Sequence, residues 1–415
     1  MAGYLSDVWF RITDLEVVSG SGCWVTAKDG TRYLDFTSGI AVTNTGHCHP
    51  KVVKAIQEQA ARFIHAQVNI YRHDLMEPLG KRLAEITPAS IESFFFTNSG
   101  AEAIESSVKL AKQATGKPHI VVVEGSFHGR THMAMAMTTS KTSYRAGYAP
   151  LPAGVFVMPF PMDFVDEHGA VDRAIHGLEW LLKTQTAPSE TAAVVVEPIL
   201  GEGGYLPAPK GYLEGIEEIC RKNKILLVLD EIQSGFGRTG KMFACQHYNI
   251  EPDIIAMAKG IASGFPFASV GARAEIMARW PSGSHGGTYG GNAIGCAAAL
   301  ATIDVLTEEG FLDNVQRRGD QLRSGLLKMA GRDGGIASIR GLGLMVGADF
   351  VDRDGAPDAN RCAAVIDHCR KEGKLLLMTA GPVGNTVRFM PPLVVKEDEM
   401  TTALEAMEKA LAATA

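Results

Sequence analysis

An apolar run, Ile225-Leu226-Leu227-Val228-Leu229, ends in Asp230, and a second, Ile254-Ile255-Ala256-Met257-Ala258, ends in Lys259. Five apolar residues bounded by charge and glycine fit a strand buried on both faces, although periodicity alone also admits a short buried helix. Read as neighbouring parallel strands, the two runs deliver an acid and an amine to one edge of a sheet. That carboxyl edge is where open α/β sheets hold ligands. The stretch between them leaves room for the crossover that parallel strands require.

The same alternation runs through the chain. Ser93-Phe94-Phe95-Phe96, His119–Val123 and Ala192–Val196 read as strands, and helical spacing appears from Pro50 to about His65 and over 74–87, 170–183, 210–222 and 293–307. Strand–helix alternation predicts an α/β fold with a mostly parallel sheet. Past residue 308 the pattern changes to helices over 311–330, 358–372 and 396–412, with a strand at Gly343–Ala348 and an extended stretch at Val387-Arg388-Phe389. Near the amino terminus, Asp29-Gly30 between apolar runs marks a hairpin over 25–36. The expected organisation is a large domain over 51–307 and a smaller carboxyl-terminal domain over 308–415, which residues 1–50 join.

Bulk properties narrow the function classes. With 415 residues, 46% apolar and 21% charged, the chain can bury a large core. A net charge of −6 argues against nucleic acid as a partner. No run approaches the ~20 apolar residues of a membrane span, and residues 1–7 lack the basic and apolar regions of a secretory signal. Seven scattered cysteines without a C-x-x-C pair fit a reducing compartment, so a soluble cytoplasmic protein is expected. His47-Cys48-His49 lacks ligand spacing and a completing cluster, so no metal is expected.

Other strand ends carry chemistry. Thr97-Asn98-Ser99-Gly100-Ala101 leads from a strand into a helix, a ready phosphate site or simply a capped helix. Phe127, in Gly125-Ser126-Phe127-His128-Gly129-Arg130, could stack on a planar cofactor or pack in the core, and Arg130 could clamp a carboxylate or sit solvated. Gly201-Glu202-Gly203-Gly204 gives a glutamate close backbone approach and mobility. Gly235-Phe236-Gly237-Arg238-Thr239-Gly240 matches G-x-G-x-x-G, as in a nicotinamide oxidoreductase, but it starts five residues past Asp230 and no clear helix follows. Pyridoxal phosphate uses more of the parts. Lys259 would form the Schiff base and then move the substrate proton, and Asp230 would keep the ring nitrogen protonated. Phe127 would stack on the ring while Ser99–Ala101 hold the phosphate.

Leu229-Asp230-Glu231-Ile232-Gln233-Ser234-Gly235-Phe236-Gly237-Arg238-Thr239-Gly240, followed by Ala258-Lys259-Gly260, resembles the class III pyridoxal-phosphate aminotransferases of fold type I. The resemblance extends from Gly39-Ile40-Ala41-Val42 to Arg388-Phe389-Met390-Pro391-Pro392-Leu393 and assigns the glycine motif to this signature. It implies that Lys259 and Asp230 are catalytic. It also implies that Ser99, Gly100, Ala101, Phe127, His128, Ile232, Gln233 and Thr288 bind the cofactor, with Thr288 reaching the site of the other subunit of a homodimer. Ala101 stands where many members have threonine or serine. Phe127 stands where 4-aminobutyrate enzymes often have tyrosine and acetylornithine enzymes often have phenylalanine.

Ile40, Arg130, Glu202 and Arg388 match substrate-facing positions. The implied reaction moves the amino group of an ω-amino donor resembling 4-aminobutyrate to a 2-oxo acid acceptor, 2-oxoglutarate, by a ping-pong route. Acetylornithine, ornithine and ω-amine:pyruvate transaminases and amino-acid racemases share the scaffold.

Overall fold

The computed structural model describes residues 4–162, 167–333 and 335–414. Residues 1–3, part of the terminus on which no secretory signal is expected, lie outside the described residues.

Short apolar runs build one seven-stranded sheet. Its spatial order is Ser93–Thr97, Ala268–Ala272, Ile254–Met257, Leu226–Asp230, Thr191–Val196, His119–Val123 and Val155–Met158. Every strand runs the same way except Ala268–Ala272, which is antiparallel to both of its neighbours. Helices cover the sheet; Gly100–Thr115, for example, packs across Ile254–Met257 and Ala268–Ala272. Burial on both faces explains why Thr191–Val196 is buried throughout and why these strands read as continuous apolar runs.

From Ser93–Thr97 the chain crosses to His119–Val123 and steps outward to Val155–Met158. It then returns through Thr191–Val196, Leu226–Asp230 and Ile254–Met257. The neighbours His119–Val123 and Thr191–Val196 therefore lead in opposite directions. Reversal of strand order opens a crevice at the carboxyl ends. Thr97, Val123, Val196, Asp230 and Met257 all end at that edge.

Among the described residues three smaller sheets complete the fold, one of them only the pair Ile199–Leu200 and Leu206–Pro207. Ile336–Leu342, Met345–Phe350, Thr386–Phe389 and Met378–Ala380 form an antiparallel sheet in that order. The hairpin strands Trp24–Ala27 and Arg32–Asp35 share a sheet with Val17–Ser21 and Leu375–Leu376, so the two ends of the chain meet.

The G-x-G-x-x-G stretch opens no helix. It runs through turns in which Gly237 and Gly240 hold left-handed φ values of 85° and 86°. Its Arg238 is fully buried and donates to Pro391 O (2.5 Å), Asn44 Oδ1 (2.9 Å) and Leu344 O (3.2 Å). Both ends of the chain are thereby tied to the large sheet. A dinucleotide turn needs the opposite arrangement, with free backbone at the start of a helix.

Among the described residues no helix is long and apolar enough to cross a membrane.

Candidate active site

A cavity of about 460 Å³ opens at the strand ends. Lys259 lies on its wall, one residue beyond Ala258, in a short 3-10 turn over Lys259–Ala262. Its φ is +48°, a left-handed conformation uncommon for a residue with a side chain. Gly260 follows, where a Cβ would stand 2.3 Å from Asn44 Nδ2, so only glycine fits. Among the described residues no hydrogen bond reaches Lys259 Nζ. Burial, helped by the nearby Arg388 charge, pulls its amine down to about 8. A neutral amine is the nucleophile toward a carbonyl. Reductive trapping of cofactor-free protein by a small aldehyde, followed at Lys259 by peptide mapping, should therefore rise with pH through a midpoint near 8. A midpoint near the ordinary lysine value of about 10.4 would contradict the burial argument.

Asp230 ends the adjacent strand. Its Oδ2 lies 2.8 Å from His128 Nδ1 and its Oδ1 accepts from Ile232 N at 3.1 Å. The His128 side chain is fully buried. Burial alone would lower its pKa, but the Asp230 carboxylate overrides that and raises it. Glu197 immediately follows Thr191–Val196 and belongs to no motif of the sequence. The register of Val196 with Leu229 sets it beside Asp230. Glu197 accepts from Phe127 N (2.7 Å) and Gly201 N (2.9 Å), and burial with the neighbouring Asp230 charge pushes its carboxyl up to about 7.

Ser99 caps helix Gly100–Thr115, its Oγ accepting from Glu102 N, while Glu102 reaches back to Asn98 N at 2.7 Å. The capped-helix reading therefore holds for the Ser99 hydroxyl. It does not exclude the anion site, because the first N–H groups of a helix stay free of intrahelical bonds. Gly100 and Ala101 line the cavity with them, as do Ile232, Gln233 and Phe127.

The charged groups expected to face substrate form a second layer. Arg130 lines the cavity, and among the described residues it has no ion pair; its guanidinium lies 4.8 Å from the Tyr144 ring centre. Glu202 also lines the cavity, whereas its partner Arg388 stands behind it, with a side chain only 3% exposed. Burial would raise the Glu202 carboxyl, but Arg388 overrides this and holds it below its usual range. The Glu202 backbone is pinned: its carbonyl accepts from Gly381 N at 3.0 Å. Gly204 O accepts from Arg340 Nη2 (2.6 Å) and Nε (3.1 Å). A Cβ on Gly203 would lie 2.6 Å from Gly125 O. The glycines thus serve close approach, and freedom is left to the Glu202 side chain rather than to its loop.

Two expected residues are elsewhere. Thr288 is exposed and does not line the cavity of its own chain. Ile40 is 39% exposed and sits in a left-handed turn, Ser38–Ala41, with φ of 47°, 62°, 68° and 58°. Such a turn costs about 1–2 kcal/mol per residue with a side chain. Asp35 Oδ1 offsets the cost by accepting from Thr37 N, Thr37 Oγ1 and Ser38 N, and Asp35 Oδ2 pairs with His47 Nε2 at 2.8 Å. His47 is thereby engaged in holding a turn.

The chain matches the family model described as aminotransferase class-III over residues 6–411. The chain belongs to the class-III aminotransferases.

It is 40% identical to the acetylornithine aminotransferase of Methanothermobacter thermautotrophicus over 94% of this chain and 91% of that one. It is 36% identical to the 4-aminobutyrate aminotransferase of Escherichia coli over 92% and 90%. An amine transaminase from an uncultivated Pseudomonas species, solved in its pyridoxal-phosphate-bound form, superposes with a TM-score of 0.91 at 26% identity, covering 100% of this chain and 98% of that one.

Class-III aminotransferases depend on pyridoxal phosphate, and the cavity of this one fits that group. A helix N-terminus offers free N–H groups to an anion, a buried carboxylate suits a protonated ring nitrogen, and an amine without a hydrogen-bond partner suits an aldehyde. Among the described residues Gln233 Oε1 is buried without a hydrogen-bond partner, an acceptor ready for a hydroxyl.

Proposed function

We propose that this aminotransferase transfers the amino group of an ω-amino acid of the 4-aminobutyrate type to 2-oxoglutarate. Lys259 would bind the cofactor and carry the substrate proton, Asp230 with His128 would hold the ring nitrogen, and the helix start at Gly100–Ala101 would hold the phosphate. Pyridoxal phosphate supplies the electron sink for the carbon that loses its proton.

One observation carries the substrate reading: Arg130 lines the cavity without an ion pair among the described residues, whereas Arg388 stands behind Glu202, which covers it. An ω-amino acid brings its carboxylate at the far end, for which Arg130 is free. Its reacting carbon has none, and there the Glu202 charge keeps Arg388 from being buried uncompensated. 2-Oxoglutarate adds a carboxylate at the reacting carbon, which takes Arg388 once the Glu202 side chain turns away. The names of the relatives, acetylornithine and 4-aminobutyrate aminotransferases, fit donors of this class. The higher identity to the acetylornithine enzyme supports N-acetylornithine as the second reading.

Glu202→Ala is the test. The half-reaction with 4-aminobutyrate should fall about tenfold or more, the scale of a lost charge-assisted interaction, and that with glutamate much less. Equal losses would reject the gate. In a panel of 4-aminobutyrate, 5-aminovalerate, ornithine and N-acetylornithine, the first should turn over fastest. Faster turnover of N-acetylornithine would move the assignment to the second reading. Thr288, exposed on this chain, would reach the cavity of a second copy in a homodimer, and Ile40 would face the substrate.

A further inference from the structure

Tyr144 stands in no motif of the sequence, yet it contacts both charged side chains on the cavity wall at the substrate end, Glu202 and Arg130. It lies on a 3-10 turn, Thr142–Tyr144, whose following residue Arg145 is tied to Thr138 O. Its hydroxyl donates to Glu202 Oε2 at 3.1 Å, while the other carboxylate oxygen, Oε1, is taken by Arg388 Nη1. Its ring carries the Arg130 guanidinium at 4.8 Å and meets Phe127 edge-on at 5.2 Å. The two oxygens of Glu202 are thus divided between a charged partner that an incoming carboxylate would claim and a neutral partner that it would not.

We infer that Tyr144 is a positioning residue for the acceptor half of the reaction, holding Glu202 when Arg388 is given up to a substrate carboxylate. The inference rests on the Glu202 gate proposed above. Since Gly201 N is held by Glu197, the Glu202 carbonyl by Gly381 N and the Gly204 carbonyl by Arg340, Glu202 cannot leave the cavity wall with its loop. Its carboxylate must then stay in a largely buried place after losing its strongest partner. A buried carboxylate left without a partner is costly, and a single hydrogen-bond donor recovers much of that cost. The Tyr144 hydroxyl is already in place, and stacking against Arg130 and Phe127 fixes the ring that carries it. With Arg388 still paired, in the donor half, the same hydrogen bond adds little, because the carboxylate is already compensated.

Tyr144→Phe keeps the ring, and with it both aromatic contacts, and removes only the hydroxyl. Measured on the holoenzyme in single turnover, the half-reactions with glutamate and 2-oxoglutarate should slow about tenfold, with KM for 2-oxoglutarate raised. The half-reaction with 4-aminobutyrate should change by less than about threefold. In a Glu202→Ala background the same substitution should have no further effect on the glutamate half-reaction, because the carboxylate it serves is gone. Equal slowing of both half-reactions by Tyr144→Phe, or an undiminished effect in the Glu202→Ala background, overturns the inference while leaving the gate intact. If Glu202→Ala alone harms both half-reactions equally, the gate and the inference fall together.

Discussion

Lys259→Ala lowers turnover with every amino donor by at least about 10⁴-fold, at the upper end of what one positioned acid–base group contributes. The loss is this large because one side chain serves two needs. In the proposed reaction it is both the attachment point for an aldehyde and the base for the substrate carbon. Among the described residues lining the cavity it is the sole lysine. Its neighbours cannot substitute: Glu197 is held by the backbone amides of Phe127 and Gly201, and Glu202 by Arg388. The variant should still fold, since among the described residues Lys259 Nζ makes no hydrogen bond that its loss would leave open, and removing a buried amine with a lowered pKa relieves a desolvation cost. Cofactor titration followed by absorbance, with circular dichroism as the control for folding, checks this. Activity within tenfold of the parent in a folded variant would reject the assignment.

Asp230→Asn lowers turnover by roughly 10²- to 10³-fold and leaves the cofactor bound. Asparagine keeps the size of the side chain and can still accept from Ile232 N. It cannot supply the negative charge that raises the His128 pKa and that, in the proposed reaction, would hold a proton on the ring nitrogen. Glu197 would respond too, because its carboxyl, pushed up to about 7 by burial, feels both the Asp230 charge and the His128 charge that Asp230 sustains. The pH profile of the variant should therefore move as well as its maximum, a change that simple loosening of the site would not give. Steady-state kinetics across pH, with cofactor content measured on the same samples, tests both. A variant within threefold of the parent and with its profile unmoved would place the ring-nitrogen partner elsewhere.

The legible parts of the fold were those in which local composition and tertiary environment agree. His119–Val123 coincides with its expected bounds, and the run expected over 225–229 forms the strand Leu226–Asp230. Strands buried on both faces need unbroken apolar runs, and a run is visible without knowing its neighbours. Ala268–Ala272 was missed because its residues are small, with Gly271 among them, and it enters the sheet antiparallel between two strands distant in sequence. Ile336–Leu342 was missed because serine, arginine and glycine interrupt its apolar residues.

By itself the sequence determined which chemical groups end the strands: Asp230, Lys259, the Ser99–Ala101 helix start and Phe127 each follow a recognisable run. Their convergence follows from parallel topology, since every such strand delivers its carboxyl end to the same edge. Only the tertiary structure decided how those groups are partnered. The Asp230–His128 pair, Glu197 beside them, Glu202 between the cavity and Arg388, and Tyr144 joining Glu202 to Arg130 all link residues far apart in the chain. Register and loop packing set these contacts, and neither leaves a period in the sequence. The same holds for the left-handed turn at Ser38–Ala41, which a β-branched Ile40 would avoid were it not held by Asp35, Ser38 and Met390.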